Sequence, residues 1–122
     1  MDVRIRGLGF SYTSASGITD VLRGLDVTVR SGSFHALVGP SGVGKSTLMK
    51  LLFRYYDVAA GAIEVDGYDI RDLPLAYLRE QIGFVQQEPF LFNGTVGANL
   101  AYGDLSASPD RIKAVARAAQ AH

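Results

Sequence analysis

The ten residues "GPSGVGKSTL", Gly39 to Leu48, constrain the fold of this chain more than any other stretch of its sequence. They contain three glycines and one lysine, and they directly follow the apolar run "FHALV" (residues 34–38). After them, apolar and aromatic side chains recur at helical spacing: Leu48, Leu51, Leu52, Tyr55 and Tyr56. The pattern predicts a strand buried on both faces, as in a parallel sheet, then a glycine-rich loop and an amphipathic helix from Lys45 to about Tyr56.

The spacing of the loop residues indicates a phosphate-binding site. Residues 39–46 fit the pattern G-x-x-x-x-G-K-[ST], in which small residues let backbone N–H groups turn toward phosphate oxygens at a helix N-terminus. Lys45 can reach the β- and γ-phosphates, Ser46 can offer its hydroxyl to Mg²⁺, and Thr47 is placed to contact the α-phosphate. The alternative is a simple turn with a solvated Lys45, which leaves a cation at the helix end that prefers acidic side chains.

Other local patterns predict elements around this loop. "VRIR" (residues 3–6) and "LDVTVR" (residues 25–30) alternate like half-buried antiparallel strands, and "IGFVQ" (residues 82–86) resembles a second buried strand. Asp66-Gly67 predicts a tight hairpin turn, because such turns need positive φ at both central residues. "LPLAYLREQ" predicts a short helix with Pro74 near its first turn.

A last helix is predicted near the end of the sequence. Ser108 is a good N-cap and Pro109 suits the first helical position. Ile112, Val115, Ala116 and Ala119 then form an apolar stripe, and the sequence up to His122 contains no stop signal.

Composition narrows the classes of partner and chemistry. Twelve Lys and Arg balance twelve Asp and Glu, so no basic surface is predicted for nucleic acid, and the absence of cysteine excludes thiol catalysis and thiolate metal sites. No apolar run approaches the roughly 18 residues that a membrane-spanning helix needs. We therefore expect a soluble, cytosolic chain.

The agreement with one family extends well beyond the glycine loop. The segments "FSYTSAS", "GAIEVDGYDIRDL" and "LREQIGFVQQEPFLFNGTVGANLAYG" occur in order around the loop, and the whole chain resembles the N-terminal half of an exporter-type ABC transporter nucleotide-binding domain. This resemblance implies an α/β fold: a P-loop NTPase (RecA-like) core with an N-terminal antiparallel β subdomain, truncated at the start of the helical subdomain. Residues 1–122 are thus expected to form one partial domain.

The resemblance also implies roles for individual residues. Tyr12 matches the A-loop aromatic that stacks on adenine, and Gln87 matches the Q-loop ligand of Mg²⁺ that senses the γ-phosphate. Gln86 is the alternative, but strand alternation would point it away, and Glu88 is not the family's catalytic carboxylate. The expected ATP-binding residues are Tyr12, Gly39, Ser41, Gly42, Val43, Gly44, Lys45, Ser46 and Thr47, with Ser46 and Gln87 as Mg²⁺ ligands and Lys45 and Gln87 supporting the γ-phosphate.

Partners follow from the same resemblance. The segment Gln87 to Val96 matches the region that receives the coupling helices of a transmembrane domain, and Phe90, Leu91 and Phe92 are candidates for that contact, with core packing as the alternative. A second nucleotide-binding domain is expected in a head-to-tail dimer at the cytoplasmic face of a membrane. No nucleic acid is expected.

Several motifs of the family do not occur in this sequence. It has no Walker B strand ending in Asp-Glu, no "LSGGQ" signature, no D-loop and no switch histidine, a role that neither His35 nor His122 should be given. We expect the chain to bind ATP but not hydrolyse it efficiently, and to be marginally stable and aggregation-prone alone. The alternatives are a non-catalytic nucleotide-binding fragment and a non-transport ABC-type ATPase. His35 is expected to be a packed or edge residue, and the acidic pairs Glu64 with Asp66 and Asp69 with Asp72 to be solvated.

Overall fold

The computed structural model describes residues 1–121, which divide into two compact units, Met1–Gly83 and a unit from Phe84 onward. The first unit contains β1 (Val3–Ser14), β2 (Gly17–Val29), α1 (Lys45–Leu52), β3 (Ala60–Val65), β4 (Tyr68–Asp69) and α2 (Leu75–Glu80). The second contains α3 (Val96–Leu100) and α4 (Pro109–Ala118).

The strands of the first unit form one antiparallel sheet in the order β2-β1-β3-β4. Val3 pairs with Val29 and Ile5 with Val27, so both alternating segments form strands as the sequence predicts. The Asp66-Gly67 hairpin is also confirmed, with φ of 49° and 86° at its two central residues.

A single apolar cluster holds α1 and α2 to this sheet. Its buried members are Ile5, Leu8 and Phe10 of β1, Leu48 and Leu51 of α1, Val58 before β3, Ile63 and Val65 of β3, Ile70, and Leu78 of α2. Burying an aliphatic or aromatic side chain contributes roughly 1.5–3 kcal/mol. Because α1 is anchored through Leu48 and Leu51, the loop that precedes it is held beside β1 and β2.

The two predicted buried strands are absent, which corrects the sequence interpretation. Residues 34–38 and 82–86 adopt no strand, and Phe34, Val38 and Val85 are 94%, 85% and 95% exposed. A strand inside a parallel sheet needs hydrogen-bonded neighbours and covered faces. Among residues 1–121 the only sheet is the antiparallel one, so these apolar segments have no ladder to join.

Helix α1 is shorter than predicted because it stops at Leu52. Arg54 adopts a left-handed conformation (φ 52°), and the Tyr55 N–H donates to the Lys50 carbonyl at 2.9 Å. This is a Schellman ending, built here on a non-glycine residue. The Arg54 guanidinium then donates to the carbonyls of Ile70 (3.1 Å) and Leu73 (3.0 Å), which offsets the backbone cost.

The second unit has one helix that the sequence did not predict. Helix α3 begins at a Thr95 N-cap, whose hydroxyl accepts from the Ala98 N–H at 3.1 Å. Helix α4 begins as predicted, with the Ser108 hydroxyl accepting from the Arg111 N–H and Pro109 in the first turn.

The end of α4 differs from the prediction. The helix stops at Ala118, where Gln120 (φ 57°) and a 2.8 Å hydrogen bond from the Ala121 N–H to the Ala116 carbonyl form a second Schellman ending. The expected run into His122 is therefore wrong, and His122 itself lies outside the described residues. Within the described part of the chain, every helix is too short or too polar to cross a bilayer.

Candidate functional site

The loop between residues 39 and 44 depends on glycine at its last position. Gly42 and Gly44 have φ of 85° and 97°, a region that side chains disfavour. A Cβ on Gly44 would also lie 2.9 Å from a methyl of Leu22 and 3.0 Å from a methyl of Val21. Glycine therefore lets the loop approach β2 closely just before α1 begins.

The N-terminus of α1 is left without a side-chain cap. Gly44 is the N-cap residue, no side chain accepts from the first turn there, and that turn contains no acidic residue. The first N–H groups of a helix need an acceptor, and they carry about half a positive charge. This helix end is therefore suited to an anion that approaches from the loop side.

The Lys45 ammonium lies over the same loop. Lys45 as a residue is half-buried, and its Nζ donates to the Gly39 carbonyl and to the Pro40 carbonyl, the latter at 2.6 Å. The alternative of a simply solvated lysine does not fit this arrangement. Ser46 follows it with an exposed hydroxyl, an oxygen donor of the hard type that Mg²⁺ prefers.

Tyr12 is brought to the helix that carries these residues. It lies on β1, half-buried, and its hydroxyl is 3.3 Å from the Thr47 hydroxyl, which is buried in the first turn of α1. Its ring packs nearly perpendicular to Phe10 at 5.0 Å and to Tyr56 at 5.9 Å between centroids. The structure thus joins two residues that the sequence separates by 35 positions, and it adds Tyr56, which sequence reasoning had placed in the apolar stripe of α1.

The chemistry of this surface fits a nucleoside triphosphate with its cation. Positive-φ glycines and uncapped N–H groups suit phosphate oxygens, and a lysine beside them suits the added negative charge. An aromatic ring tied to the same helix suits a base. All of these features lie within the first unit.

The expected Q-loop residues lie in the second unit, and Gln86, Gln87 and Glu88 are all exposed there. Because residues 82–86 form no strand, the alternation argument that favoured Gln87 over Gln86 does not hold. Only the family resemblance then distinguishes the two glutamines.

Three apolar residues, Phe90, Leu91 and Phe92, follow these polar residues, and hydrogen bonds to the Phe92 backbone fix the end of this segment. Phe90 and Leu91 are 72% and 77% exposed, so the core alternative is wrong for both. Phe92 stacks on Tyr102 at 4.1 Å, and the Asn99 side chain accepts from the Phe92 N–H (2.8 Å) and donates to its carbonyl (3.0 Å). The sequence analysis did not identify Asn99. Thr95 is a residue type typical of a helix N-cap, and recognising it would have predicted α3, the helix that contains Asn99.

Two expectations about other polar residues are corrected. His35 is exposed rather than packed, with its Nε2 3.0 Å from the Ser33 hydroxyl. Glu64 pairs with Arg6 instead of being solvated. Hydrogen bonds from Arg71 hold the pKa of Asp69 below its usual value, and Asp69 in turn raises the pKa of Arg71.

Comparison with known proteins gives one family. A family model described as ABC transporter matches residues 22–122. The chain is 49% identical over 120 residues to an ATP-dependent lipid A-core flippase of Syntrophus aciditrophicus, covering 98% of this chain and 19% of that protein. It is 47% identical over 121 residues to a mitochondrial iron-sulfur clusters transporter atm1 of Neurospora crassa, covering 99% of this chain and 16% of that protein.

A solved structure agrees with these relatives. A bacterial Atm1-family ABC exporter with ATP bound superposes with a TM-score of 0.87 at 43% identity, covering 98% of this chain and 21% of that one. The chain spans no more than about a fifth of the length of these proteins. Because the family model matches most of its residues, the chain belongs to the ABC transporter family, as part of an exporter-type ATP-binding domain with the P-loop NTPase fold.

Proposed function

We propose that this chain binds ATP with Mg²⁺, as the phosphate-loop part of an ATPase domain that powers export across a membrane. The observation that carries the proposal is the convergence of the Lys45 ammonium and the uncapped N-terminus of α1 on one glycine loop. Phosphoryl groups are held in this way by charge and oriented N–H groups, with little covalent help from the protein.

Each group in the loop has a proposed part. The backbone of Gly39, Ser41, Gly42, Val43 and Gly44 encloses the phosphates. Lys45 moves its hydrogen bonds from the loop carbonyls to the β- and γ-phosphates, and Thr47 lies next to the α-phosphate. Ser46 contributes its hydroxyl to Mg²⁺, whose chemistry is to neutralise charge on the β- and γ-phosphates. Gln87 is proposed as a further Mg²⁺ ligand and γ-phosphate sensor on the family resemblance.

Tyr12 is proposed as the surface on which adenine stacks. The support is its anchored position beside Thr47 and the orientation of the two rings that contact it within residues 1–121, since Phe10 and Tyr56 both stand near 90° to it and neither stacks on it in parallel. A base–aromatic stack is worth about 1–3 kcal/mol and discriminates little between bases. The site should therefore prefer ATP only modestly over other nucleoside triphosphates.

The wider assembly is also proposed. Residues 1–122 would be one partial nucleotide-binding domain that pairs head to tail with a second such domain at the cytoplasmic face of a membrane. The exposed Phe90 and Leu91 support a contact with the coupling helices of a transmembrane domain within residues 87–96. Hydrolysis needs a carboxylate that positions water, and none of the residues assigned here supplies it, so this chain is proposed to bind ATP and to turn it over poorly.

Substitution of Lys45 tests the proposed phosphate site. Lys45→Ala removes the cation from the loop, and we expect the Kd for ATP with Mg²⁺, measured by isothermal titration calorimetry, to rise at least about tenfold, since a hydrogen bond to a charged group is worth about 1.5–3 kcal/mol. Lys50→Ala is the matched control, because Lys50 is an exposed lysine in the last turn of the same helix. Equal ATP affinity in wild type and Lys45→Ala would refute the assignment. Chelation of Mg²⁺ should also weaken binding in the wild type.

A further inference from the structure

Three residues contact the Tyr12 side chain, and one of them, Tyr56, has neither a place in the buried core nor a role in the proposed site. The Tyr12 hydroxyl meets Thr47 at 3.3 Å, Phe10 contacts the ring at 5.0 Å and 86°, and Tyr56 contacts it at 5.9 Å and 89°. Phe10 is a buried core residue, whereas Tyr56 is 44% exposed. Tyr56 therefore contacts Tyr12, the proposed stacking surface for the base, without being part of the buried core, so it can be substituted with little effect on core packing.

The three contacts restrict different motions of the ring. The hydroxyl of a tyrosine lies on the long axis of its ring, so a hydrogen bond there fixes the tip but permits rotation about that axis. Such sp³–sp² torsions have broad energy wells. Two other rings contact this ring at nearly 90°, and such contacts oppose that rotation. Tyr56 and Phe10, which also touch each other at 5.6 Å, therefore set the plane of the Tyr12 ring.

Local backbone geometry explains why Tyr56 is available for this contact. Helix α1 ends at Leu52, and the left-handed Arg54 redirects the chain instead of continuing the helix. The Arg54 guanidinium fixes this bend through the carbonyls of Ile70 and Leu73 and through Asp57, 3.1 Å from its Nε. Tyr55 contacts different residues: its ring stacks on Phe53, and the Arg79 guanidinium carbon lies 5.1 Å from its ring centroid.

We propose that Tyr56 is a positioning residue for the base: it fixes the plane of the Tyr12 ring so that a purine can stack on it. The inference rests on the proposed function, because it requires Tyr12 to be the stacking surface. Tyr56 does not touch the phosphates in this assignment. Its loss should weaken recognition of the base while leaving recognition of the triphosphate intact.

The experiment compares ATP with inorganic tripolyphosphate, which lacks a base, on the full chain in the presence of Mg²⁺. Tyr56→Ala should raise the Kd for ATP about fivefold, the lower end of the effect of losing one base stack. Its Kd for tripolyphosphate should change less than twofold. Tyr56→Phe keeps the ring and should restore wild-type ATP affinity. Tyr55→Ala removes the neighbouring exposed tyrosine and should change neither constant.

Other outcomes overturn the proposal in distinguishable ways. If Tyr12→Ala weakens ATP binding but Tyr56→Ala does not, Tyr12 is the stacking residue as proposed and the positioning role of Tyr56 is wrong. If neither substitution changes ATP affinity while Lys45→Ala does, the base site itself is misassigned. If Tyr56→Ala weakens ATP and tripolyphosphate equally, Tyr56 acts on folding and not on the base. Should Tyr56→Ala fail to fold, Tyr56→Leu replaces it, with the same expected ratio of the two constants.

Discussion

Lys45 and Thr47 lie in the same turn of α1, but different parts of the chain orient them. The Lys45 ammonium is held by carbonyls of its own loop, whereas the Thr47 hydroxyl faces Tyr12 of β1. The first contact is local, so the loop motif was enough to predict that Lys45 acts with residues 39–46. The second joins residues 35 positions apart, and no spacing rule in the sequence could have indicated it. The assigned role of Thr47 at the α-phosphate stays a prediction.

Gly44 should be the least replaceable residue of the loop. Gly44→Ala places a methyl group 2.9 Å from Leu22 and forces a side chain into positive φ, so we expect weaker ATP binding and a lower free energy of unfolding by about 3 kcal/mol. Gly42→Ala is the matched control, because it shares the positive φ but meets no atom within 4 Å. Its cost should be only the roughly 1–2 kcal/mol of backbone strain. Equal urea midpoints for the two variants would contradict the close approach of loop and β2.

The lowered pKa of Asp69 predicts that part of the protein's free energy of unfolding is lost at acid pH. Because hydrogen bonds from Arg71 lower the pKa of Asp69 below 3.8 in the folded state, the stabilisation is fully present above that pH and is lost as the pH falls through the folded pKa. Asp69→Asn cannot ionise. The difference in urea midpoint between wild type and Asp69→Asn should therefore be constant near neutral pH and shrink below pH 3.8. A difference that does not change with pH would show that the Arg71 hydrogen bonds leave this pKa unshifted.

Among the elements, the antiparallel strands, the Asp66-Gly67 hairpin and the start of α4 follow from sequence because each depends on local alternation, positive φ or capping. The conformation of residues 34–38 and 82–86 could not be predicted in this way. A buried strand forms only where neighbouring strands are present to pair with it, and local sequence does not report those neighbours. The ends of α1 and α4 were also missed. Helix α1 ends with a left-handed Arg54 and α4 with a left-handed Gln120, whereas the usual sequence signal for such an ending is glycine.

The pairing of β1 with β3 depends on one glycine. A Cβ on Gly61 would lie 2.2 Å from the Arg6 carbonyl oxygen and 2.4 Å from that of Gly7, next to the register irregularity between Arg6 and Gly9. Gly61→Ala should lower the free energy of unfolding by about 3 kcal/mol or more, because backbone must move apart. Gly7→Ala, with positive φ and open space, should cost about 1–2 kcal/mol. Urea denaturation measures both, and a smaller loss for Gly61→Ala would contradict this register.

At the scale of the whole molecule, the chain has a buried core in its first unit and exposes many apolar side chains in both units. Phe34, Val38, Val85 and Leu91 are each at least 77% exposed. Such surface supports the expectation that the chain alone is prone to aggregate, and binding measurements belong in dilute, cold solution. The sequence motif located the proposed phosphate site and the family resemblance assigned Tyr12 to it, whereas the structure was needed to see that Tyr56 packs on Tyr12.

The most direct test of ATP binding at this site is an amide chemical-shift titration of the ¹⁵N-labelled chain with ATP and Mg²⁺. We expect saturable shifts concentrated in residues 39–47, with Tyr12 and Tyr56 also shifting, and no such pattern in Lys45→Ala. Shifts centred on other residues, or none at millimolar ATP, would show that this loop is not a nucleotide-binding site.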